Sequence, residues 1–405
     1  MSNYQLQTLA EFIIEREPNL LPLFMQLKNA VRIIYNRLSV AGLENLTGLT
    51  GGQNGYGEDV QKLDDFANIL LRDKIMASKS VACFMSEELE HPFWSEHKNE
   101  KYIFATDPLD GSSNIDISLS IGTIFSIYKN TGELLQKGSE QIASGYFLFS
   151  TACLLVLTLG DGVYVFNLDE TMDSFLMIES KLMMPESGKI YSINEGNWHK
   201  FNSKTQNYIH KVKEENYKLR YVGSMVADVH RTLLKGGVFL YPTDSANPTG
   251  KLRLLYEINP MSFLIQQAGG KAILEDGTDP MTLIPTKHDQ TLPIILGSKV
   301  QVEMFEGINN FETLESIFEN KITTGNMNGP RLECIFRNSI NLLGEMKQNL
   351  NTANLKELLS NKDYRNSLLW NCTDGDLKEF WDETIFSYEG ESSFENISTY
   401  IVSKL

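Results

Sequence analysis

Ten consecutive residues, Asp107-Pro108-Leu109-Asp110-Gly111-Ser112-Ser113-Asn114-Ile115-Asp116, restrict what this chain can become more than any other stretch. Just before them lies the apolar run Tyr102-Ile103-Phe104-Ala105. That run reads as a buried strand carrying two aspartates to the carboxyl edge of a sheet, where ligands of α/β proteins gather. Aspartates suit a hard, oxygen-seeking cation such as Mg²⁺, and the small residues that follow let backbone N–H groups approach a phosphate closely. Taken alone, the same residue types also fit a polar turn after a strand.

Further acids stand at the ends of other elements. Val81-Ala82-Cys83-Phe84-Met85 reads as a second short strand and runs into Ser86-Glu87-Glu88, neighbouring like charges that repel unless a cation sits between them. Gly57-Glu58-Asp59-Val60-Gln61-Lys62-Leu63-Asp64 opens an amphipathic helix with Leu63, Phe66, Leu70 and Ile75 at helical spacing. Its acids lie at the positive end of the helix dipole. The segment Gly250-Lys251-Leu252-Arg253-Leu254-Leu255-Tyr256-Glu257 reads as strand-like, with an alternation that would aim Lys251, Arg253 and Glu257 away from Leu252 and Leu254. Leu23, Leu27, Val31, Ile34 and Leu38 predict another amphipathic helix, and residues 48–57 a Gly-rich mobile loop leading into Glu58. Strands and helices are expected to alternate through residue 160, followed by the turn Gly160-Asp161-Gly162 and the strand Val163-Tyr164-Val165-Phe166. Each acid taken singly reads as a solvated surface charge.

These segments resemble the class I fructose-1,6-bisphosphatases, within the wider lithium-sensitive, Mg²⁺-dependent sugar and inositol phosphatases. Besides the aspartate run, the resemblance rests on Ser192-Ile193-Asn194-Glu195-Gly196, on the block from Arg220 to Arg231 (Arg-Tyr-Val-Gly-Ser-Met-Val-Ala-Asp-Val-His-Arg), and on Leu240-Tyr241-Pro242. It covers the chain from about Leu20 to Phe305. It implies an α/β chain of layered α/β/α/β/α architecture in three parts. Residues 1–188 would form an N-terminal α/β domain with the metal-binding acids and regulatory helices, and 189–306 a C-terminal α/β substrate domain. Residues 307–405 would be a largely helical C-terminal extension that nothing in the family explains.

The resemblance also implies chemistry. Glu58, Glu87, Glu88, Asp107, Asp110 and Glu257, with the carbonyl of Leu109, would hold about two or three Mg²⁺ ions per subunit, with Mn²⁺ or Zn²⁺ as substitutes. So many acids around one pocket need divalent cations to remain ionised, and an anionic phosphate needs those cations as a bridge to the protein. The reaction would be in-line hydrolysis of the 1-phosphate of fructose 1,6-bisphosphate, with no covalent enzyme intermediate. Asp64 and Glu88 would help take a proton from the attacking water, and Glu87 would hold the activating metal. Gly111, Ser112 and Ser113 would contact the reacting phosphate. Asn194, Tyr221 and Tyr241 would bind the 6-phosphate, with Arg220 reaching in from a neighbouring subunit and Lys251 and Met225 near the sugar. A homo-oligomer follows, a tetramer before a dimer. The pathway implied is gluconeogenic sugar-phosphate metabolism.

Two departures from the family pattern matter. After Gly196, where relatives supply a tyrosine to the 6-phosphate, this chain has Asn197 and Trp198, which admits sedoheptulose 1,7-bisphosphate or another sugar phosphate as the substrate. Where AMP-inhibited relatives carry Thr-Gly-Glu, it has Glu17-Pro18-Asn19, although Lys101 and Tyr102 match the other half of that site; inhibition by AMP is therefore in doubt. A silent sugar-phosphate sensor or scaffold is the remaining alternative, opposed by the intact acid set.

Composition limits the rest. A net charge of −16 over 405 residues argues against nucleic acid as a partner. The start Met1-Ser2-Asn3-Tyr4-Gln5-Leu6-Gln7 has no secretory character, and no stretch is apolar for long enough to span a membrane, so the cytoplasm is expected. Cys83, Cys153, Cys334 and Cys372 form no pairing motif and read as reduced thiols. The six histidines lack metal-ligand spacing. In the extension, Leu332, Phe336, Ile340 and Leu343 predict a helix with a face to pack.

Overall fold

The computed structural model describes residues 6–40, 49–53, 59–96, 98–308, 330–346, 348, 352–386 and 391–404. The chain divides into two compact units, residues 1–200 with 212–307, and residues 201–211 with 308–405.

The first unit opens with helices α1 (Leu9–Arg16) and α2 (Leu21–Val40), and a two-stranded ribbon of β1 (Leu49–Gln53) and β2 (Asp59–Gln61) leads into α3 (Lys62–Ala77). In α2 the apolar spacing acts as expected, burying Leu23, Phe24, Leu27, Val31 and Ile34. Next come β3 (Val81–Ser86), β4 (Phe93–Trp94), β5 (Tyr102–Asp110), β6 (Ile121–Lys129), β7 (Gln141–Phe149), β8 (Cys153–Thr158), β9 (Val163–Asp169) and β10 (Ser174–Glu179). They form one sheet in the order β10-β9-β8-β7-β6-β5-β3-β4.

The expected alternation of strands and helices through residue 160 does not occur. Between β5 and β10 the chain is an antiparallel meander. Its connections, such as residues 150–152, are too short for a crossover helix, and only antiparallel neighbours tolerate such links. The exception decides where the site lies. β3 and β5 are parallel, so Ser86 pairs with Thr106 and both strands finish at one edge.

The second half of this unit builds a five-stranded sheet from β11 (Ile190–Ser192), β12 (Lys218–Leu219), β13 (Val238–Tyr241), β15 (Lys271–Ile273) and β17 (Ile294–Gly297), while β14 (Leu252–Arg253) pairs with β16 (Thr291–Leu292). Its helices are α4 (Ser203–Glu214), which crosses the boundary between the two units, then α5 (Met225–Lys235), α6 (Asn259–Gln267) and α7 (Lys299–Glu306). Phe24, Leu27, Phe104, Phe125 and Phe147 share a core between the N-terminal helices and the large sheet. A second core joins Ile124, Tyr146 and Val156 of that sheet to Val226 and Val229 of α5, Leu264 and Ile265 of α6, and Phe239 and Leu296 of the smaller sheet. This gives the layered α/β arrangement, and it shows why the contacts do not separate the chain near residue 188: α5 and α6 bury their apolar faces against both sheets.

The second unit has its own core. Helices α8 (Pro330–Glu345), α9 (Thr352–Ser360), α10 (Lys362–Asn371), α11 (Gly375–Phe386) and α12 (Glu391–Lys404) bury Phe336, Leu342, Leu343, Leu355, Leu358, Trp381 and Ile401. Phe336, Ile340 and Leu343 lie on the apolar face expected for α8. The Glu345 carboxylate accepts from the Cys372 thiol, from Thr373 N and Oγ1 and from Asp374 N, at 2.6 to 2.9 Å. These donors, the Cys372 thiol first, hold its pKa down to about 2.

Candidate active site

β5 delivers the aspartates through an irregularity. Asp107 pairs with Ile124 while Asp110 pairs with Gly122, so three steps along β5 answer two along β6. Residues three apart on a regular strand face opposite sides, and one extra residue restores parity. That bulge lets both carboxylates line one cavity. Pro108 sits within it, where a missing N–H is tolerated, and Thr123 Oγ1 pins it by donating to the Pro108 carbonyl at 2.8 Å.

β3, parallel to β5, ends at the same edge and presents Glu87 and Glu88. Glu257 arrives from a segment whose expected strand is corrected by the structure. Only Leu252 and Arg253 are extended; residues Leu254–Ile258 form a turn of π-helix feeding α6. The N–H of Asn259 donates to the Leu254 carbonyl, five residues back, and Pro260 has no N–H to offer an ordinary helical bond at that point. The wide turn brings Glu257 Oε2 back to the Arg253 N–H at 2.6 Å.

Carboxylate oxygens of Glu87, Asp107 and Glu257 consequently lie within 4.8 Å of one another. Burial, and then the charges of Glu87, Asp110, Glu257 and Glu88, push the Asp107 pKa well above the usual carboxylate range. Burial and the charge of Glu87 do the same for Glu257, opposed by Arg253. The Arg253 guanidinium also forms an ion pair with Glu87. It supplies a single positive charge to a group of three acids.

Asp110 is treated differently. Its carboxylate accepts from Ser224 Oγ at 2.6 Å, Val226 N at 2.8 Å and Met225 N at 3.0 Å, at the N-terminus of α5. Burial raises its pKa while these donors pull it back. A carboxylate has about four lone-pair positions, so one remains to face the cavity. Gly111 follows at φ 77°, where a Cβ would stand 2.5 Å from the Ser224 Cβ; the turn admits glycine alone, and it places Ser112 and Ser113 on the cavity wall.

The cavity, of about 360 Å³, is lined by Asp64, Glu87, Glu88, Asp107, Leu109, Asp110, Gly111, Ser112 and Ser113 at one end and by Tyr221, Met225, Tyr241 and Lys251 elsewhere. Asp64 lies in the first turn of α3 and is buried. Burial raises the phenol pKa values of Tyr221 and Tyr241, leaving both hydroxyls as neutral hydrogen-bond donors. Among the described residues, Asn194 and Arg220 do not line this cavity. Asn194 accepts from Gly196 N at 3.1 Å, and Arg220 is exposed, donating to the Leu219 carbonyl at 2.8 Å. Glu58, with residues 48 and 54–57 of the expected loop, lies outside the described residues, while residues 49–53 of that loop form strand β1.

Arg253, Ser224 and Asp228 line the cavity without having been given a role from sequence. A Ser N-cap followed four residues later by Asp was the signal available for the last two. Trp198 is absent from the lining; the Lys213 ammonium lies 5.4 Å from its ring centroid, and Lys213 in turn bonds Glu195 at 2.5 Å. Lys101, which matches part of the AMP site of inhibited relatives, donates from Nζ to Asn19 Oδ1 at 3.1 Å. His230 bonds Tyr146 and His288 bonds Tyr256 and the Glu90 carbonyl, in keeping with structural roles.

Comparison with known proteins places these features. Family models described as the N-terminal and C-terminal domains of fructose-1-6-bisphosphatase match residues 6–180 and 184–310. The class 1 fructose-1,6-bisphosphatase of Sulfurihydrogenibium sp. (strain YO3AOP1) is 44% identical over 313 residues, covering 74% of this chain and 97% of the relative. That of Persephonella marina is 44% identical over 288 residues, covering 69% and 88%. The crystal structure of Leishmania major fructose-1,6-bisphosphatase in holo form superposes with a TM-score of 0.72 at 34% identity, covering 75% of this chain and 99% of that one; the apo form gives 0.69 at 33%.

Proposed function

The chain belongs to the fructose-1,6-bisphosphatase family, and on that premise we propose that it uses a divalent cation to hydrolyse the 1-phosphate of fructose 1,6-bisphosphate, giving fructose 6-phosphate and inorganic phosphate. The observation that carries the reading is the meeting of the Glu87, Asp107 and Glu257 oxygens within 4.8 Å, on the wall of a cavity that also holds the Gly111-Ser112-Ser113 turn.

The donor set fits a hard cation. It is all oxygen and clustered, and the acids raise one another's pKa where no cation compensates them. We assign Mg²⁺ to Glu87, Asp107 and Glu257, with Glu88, the Leu109 carbonyl and the free lone pair of Asp110 completing the set; Glu58 belongs to the same proposal. When bound, the cation supplies Lewis acidity and neutralises charge on the phosphate and the departing oxygen.

The protein's own groups do the rest. Gly111, Ser112 and Ser113 hold the phosphate by backbone and hydroxyl donors. Asp64 and Glu88 take the proton of the attacking water, whose oxygen forms the new P–O bond as the sugar oxygen leaves. Tyr221, Tyr241, Met225 and Lys251 receive the sugar and its remote phosphate. Asn194 belongs with them in the proposal for the 6-phosphate although it does not line the cavity, and Arg220, exposed on its own chain, enters a neighbour's pocket in a homo-oligomer. Among the described residues no helix is long and apolar enough to cross a membrane, and the four cysteines are free; a reducing cytoplasm suits both.

The deciding assay is phosphate release from fructose 1,6-bisphosphate with and without Mg²⁺, beside sedoheptulose 1,7-bisphosphate, fructose 6-phosphate and inositol monophosphate. Fructose 1,6-bisphosphate is expected to be turned over fastest and only with the cation. Turnover of the monophosphates alone would remove the bisphosphatase reading.

A further inference from the structure

Asp228 is fully buried, yet among the described residues it belongs to no cluster of acids that could hold a cation. Its Oδ2 accepts from Val222 N at 3.0 Å and Gly223 N at 3.1 Å, and its Oδ1 from Val222 N at 3.1 Å and Arg231 Nη2 at 2.6 Å. Arg231 Nη2 also donates to the Arg220 carbonyl at 2.8 Å, and Asn114 Nδ2 to the Val222 carbonyl at 3.2 Å. One carboxylate and its arginine therefore tie down residues 220, 222 and 223, on both sides of Tyr221. The far end of the same segment is held by Asp110, through Ser224, Met225 and Val226.

A buried carboxylate is costly unless its lone pairs are satisfied. This one spends them on backbone just past the end of β12: Arg220 N still donates to the Tyr191 carbonyl at 3.0 Å, but residues 220–223 belong to neither strand nor helix, and Gly223 adopts φ 86°. Strand bonding stops at Arg220, so beyond it the amides of Val222 and Gly223, on the far side of Tyr221, are fixed by Asp228, with Asn114 on the Val222 carbonyl.

We infer that Asp228 is a positioning residue for recognition of the substrate's remote phosphate, acting through the 220–223 segment that carries Tyr221 and Arg220. This inference rests on the bisphosphatase reading and deepens it: chemistry at the reacting phosphate is assigned to the acid group, and discrimination of a bisphosphate from a monophosphate to a segment held by a carboxylate whose oxygens are taken up by Val222, Gly223 and Arg231.

The test compares fructose 1,6-bisphosphate with fructose 1-phosphate, which keeps the scissile ester and lacks the remote phosphate. For Asp228→Asn, with saturating Mg²⁺, KM for the bisphosphate is expected to rise about tenfold with kcat within about threefold, while kcat/KM for the monophosphate moves less than about twofold. Arg231→Gln, which leaves the Asp228 bonds to Val222 and Gly223 in place, is expected to give a smaller rise of the same kind. Combining Asp228→Asn with Tyr221→Phe is expected to give less than the product of the single effects, as for residues acting through one another. Equal loss on both substrates in either single variant, a loss confined to kcat, or no change would overturn the inference. If Asp228→Asn does not fold, Arg231→Gln decides alone. A parent enzyme without cation-dependent turnover of the bisphosphate would instead remove the underlying reading.

Discussion

Two groups of carboxylates, all buried but the half-buried Glu87, line one cavity and obey opposite rules. In one, Glu87, Asp107 and Glu257 face one another, with Arg253 as their counter-charge. In the other, Asp228 and most of Asp110 face backbone amides, a serine hydroxyl and an arginine. Burial penalises both groups alike, so what separates them is the partner the fold provides. Where it offers amides, the carboxylate fixes a loop. Where it offers other carboxylates, it leaves a deficit that a divalent cation fills.

The sharpest test of this contrast is Asp107→Asn. It is expected to lower kcat at least about 100-fold, because even outer-shell changes at metal sites cost about 10–100-fold; steady-state phosphate release measures it. Full turnover in this variant would break the assignment of the acid group.

Stability should separate the two groups by sign. In chelator, Asp107→Asn is expected to stabilise the protein by roughly 1 kcal/mol, since it removes one of several repelling buried charges and its amide oxygen still accepts from Leu109 N. Asp228→Asn is expected to destabilise it by about 2 kcal/mol through loss of charge-assisted bonds. Calorimetry of the transition of the α/β unit reads both. A shift in the same direction would show that the two groups are not distinct.

The pH dependence follows from the raised pKa values of Asp107 and Glu257. A carboxyl whose folded pKa lies above its unfolded value favours the folded state below the ordinary carboxylate range, near about pH 4, and that contribution is lost as pH rises through the folded pKa. In chelator, the stability gap between Asp107→Asn and the parent should therefore be smallest near about pH 4 and widen toward neutrality. Saturating Mg²⁺ should abolish the widening; thermal melts across pH check both statements.

The smallest expected effect is at Trp198. Because its indole lies against Lys213 and off the cavity wall, Trp198→Tyr should change KM for fructose 1,6-bisphosphate by less than about twofold. A larger change would return sugar preference to this position.

Much of this was legible in the chain. Local patterns predicted α2 and α3 from their apolar spacing, β3 and β5 from their apolar runs, and the face of α8 that buries Phe336, Ile340 and Leu343. The motif from Asp107 to Ser113 marked the cavity wall where the structure has it. Other features escaped because their causes lie elsewhere in the molecule. The meander from β5 to β10 depends on which strands accept one another, and the π turn at Glu257 on a hydrogen bond that reaches five residues back from Asn259, the residue just before Pro260.

Residue types alone thus determined that the chain carries acids, a Gly-Ser-Ser turn and apolar faces enough for several cores, because charge, side-chain size and helical or strand period are local properties. Tertiary structure decided which acids face one another and which hold a loop. Asp107, Asp110 and Asp228 are one residue type, and only the groups that packing brings to their oxygens put one in a cluster of carboxylates, one against the amides that open α5, and one against the backbone of Val222 and Gly223.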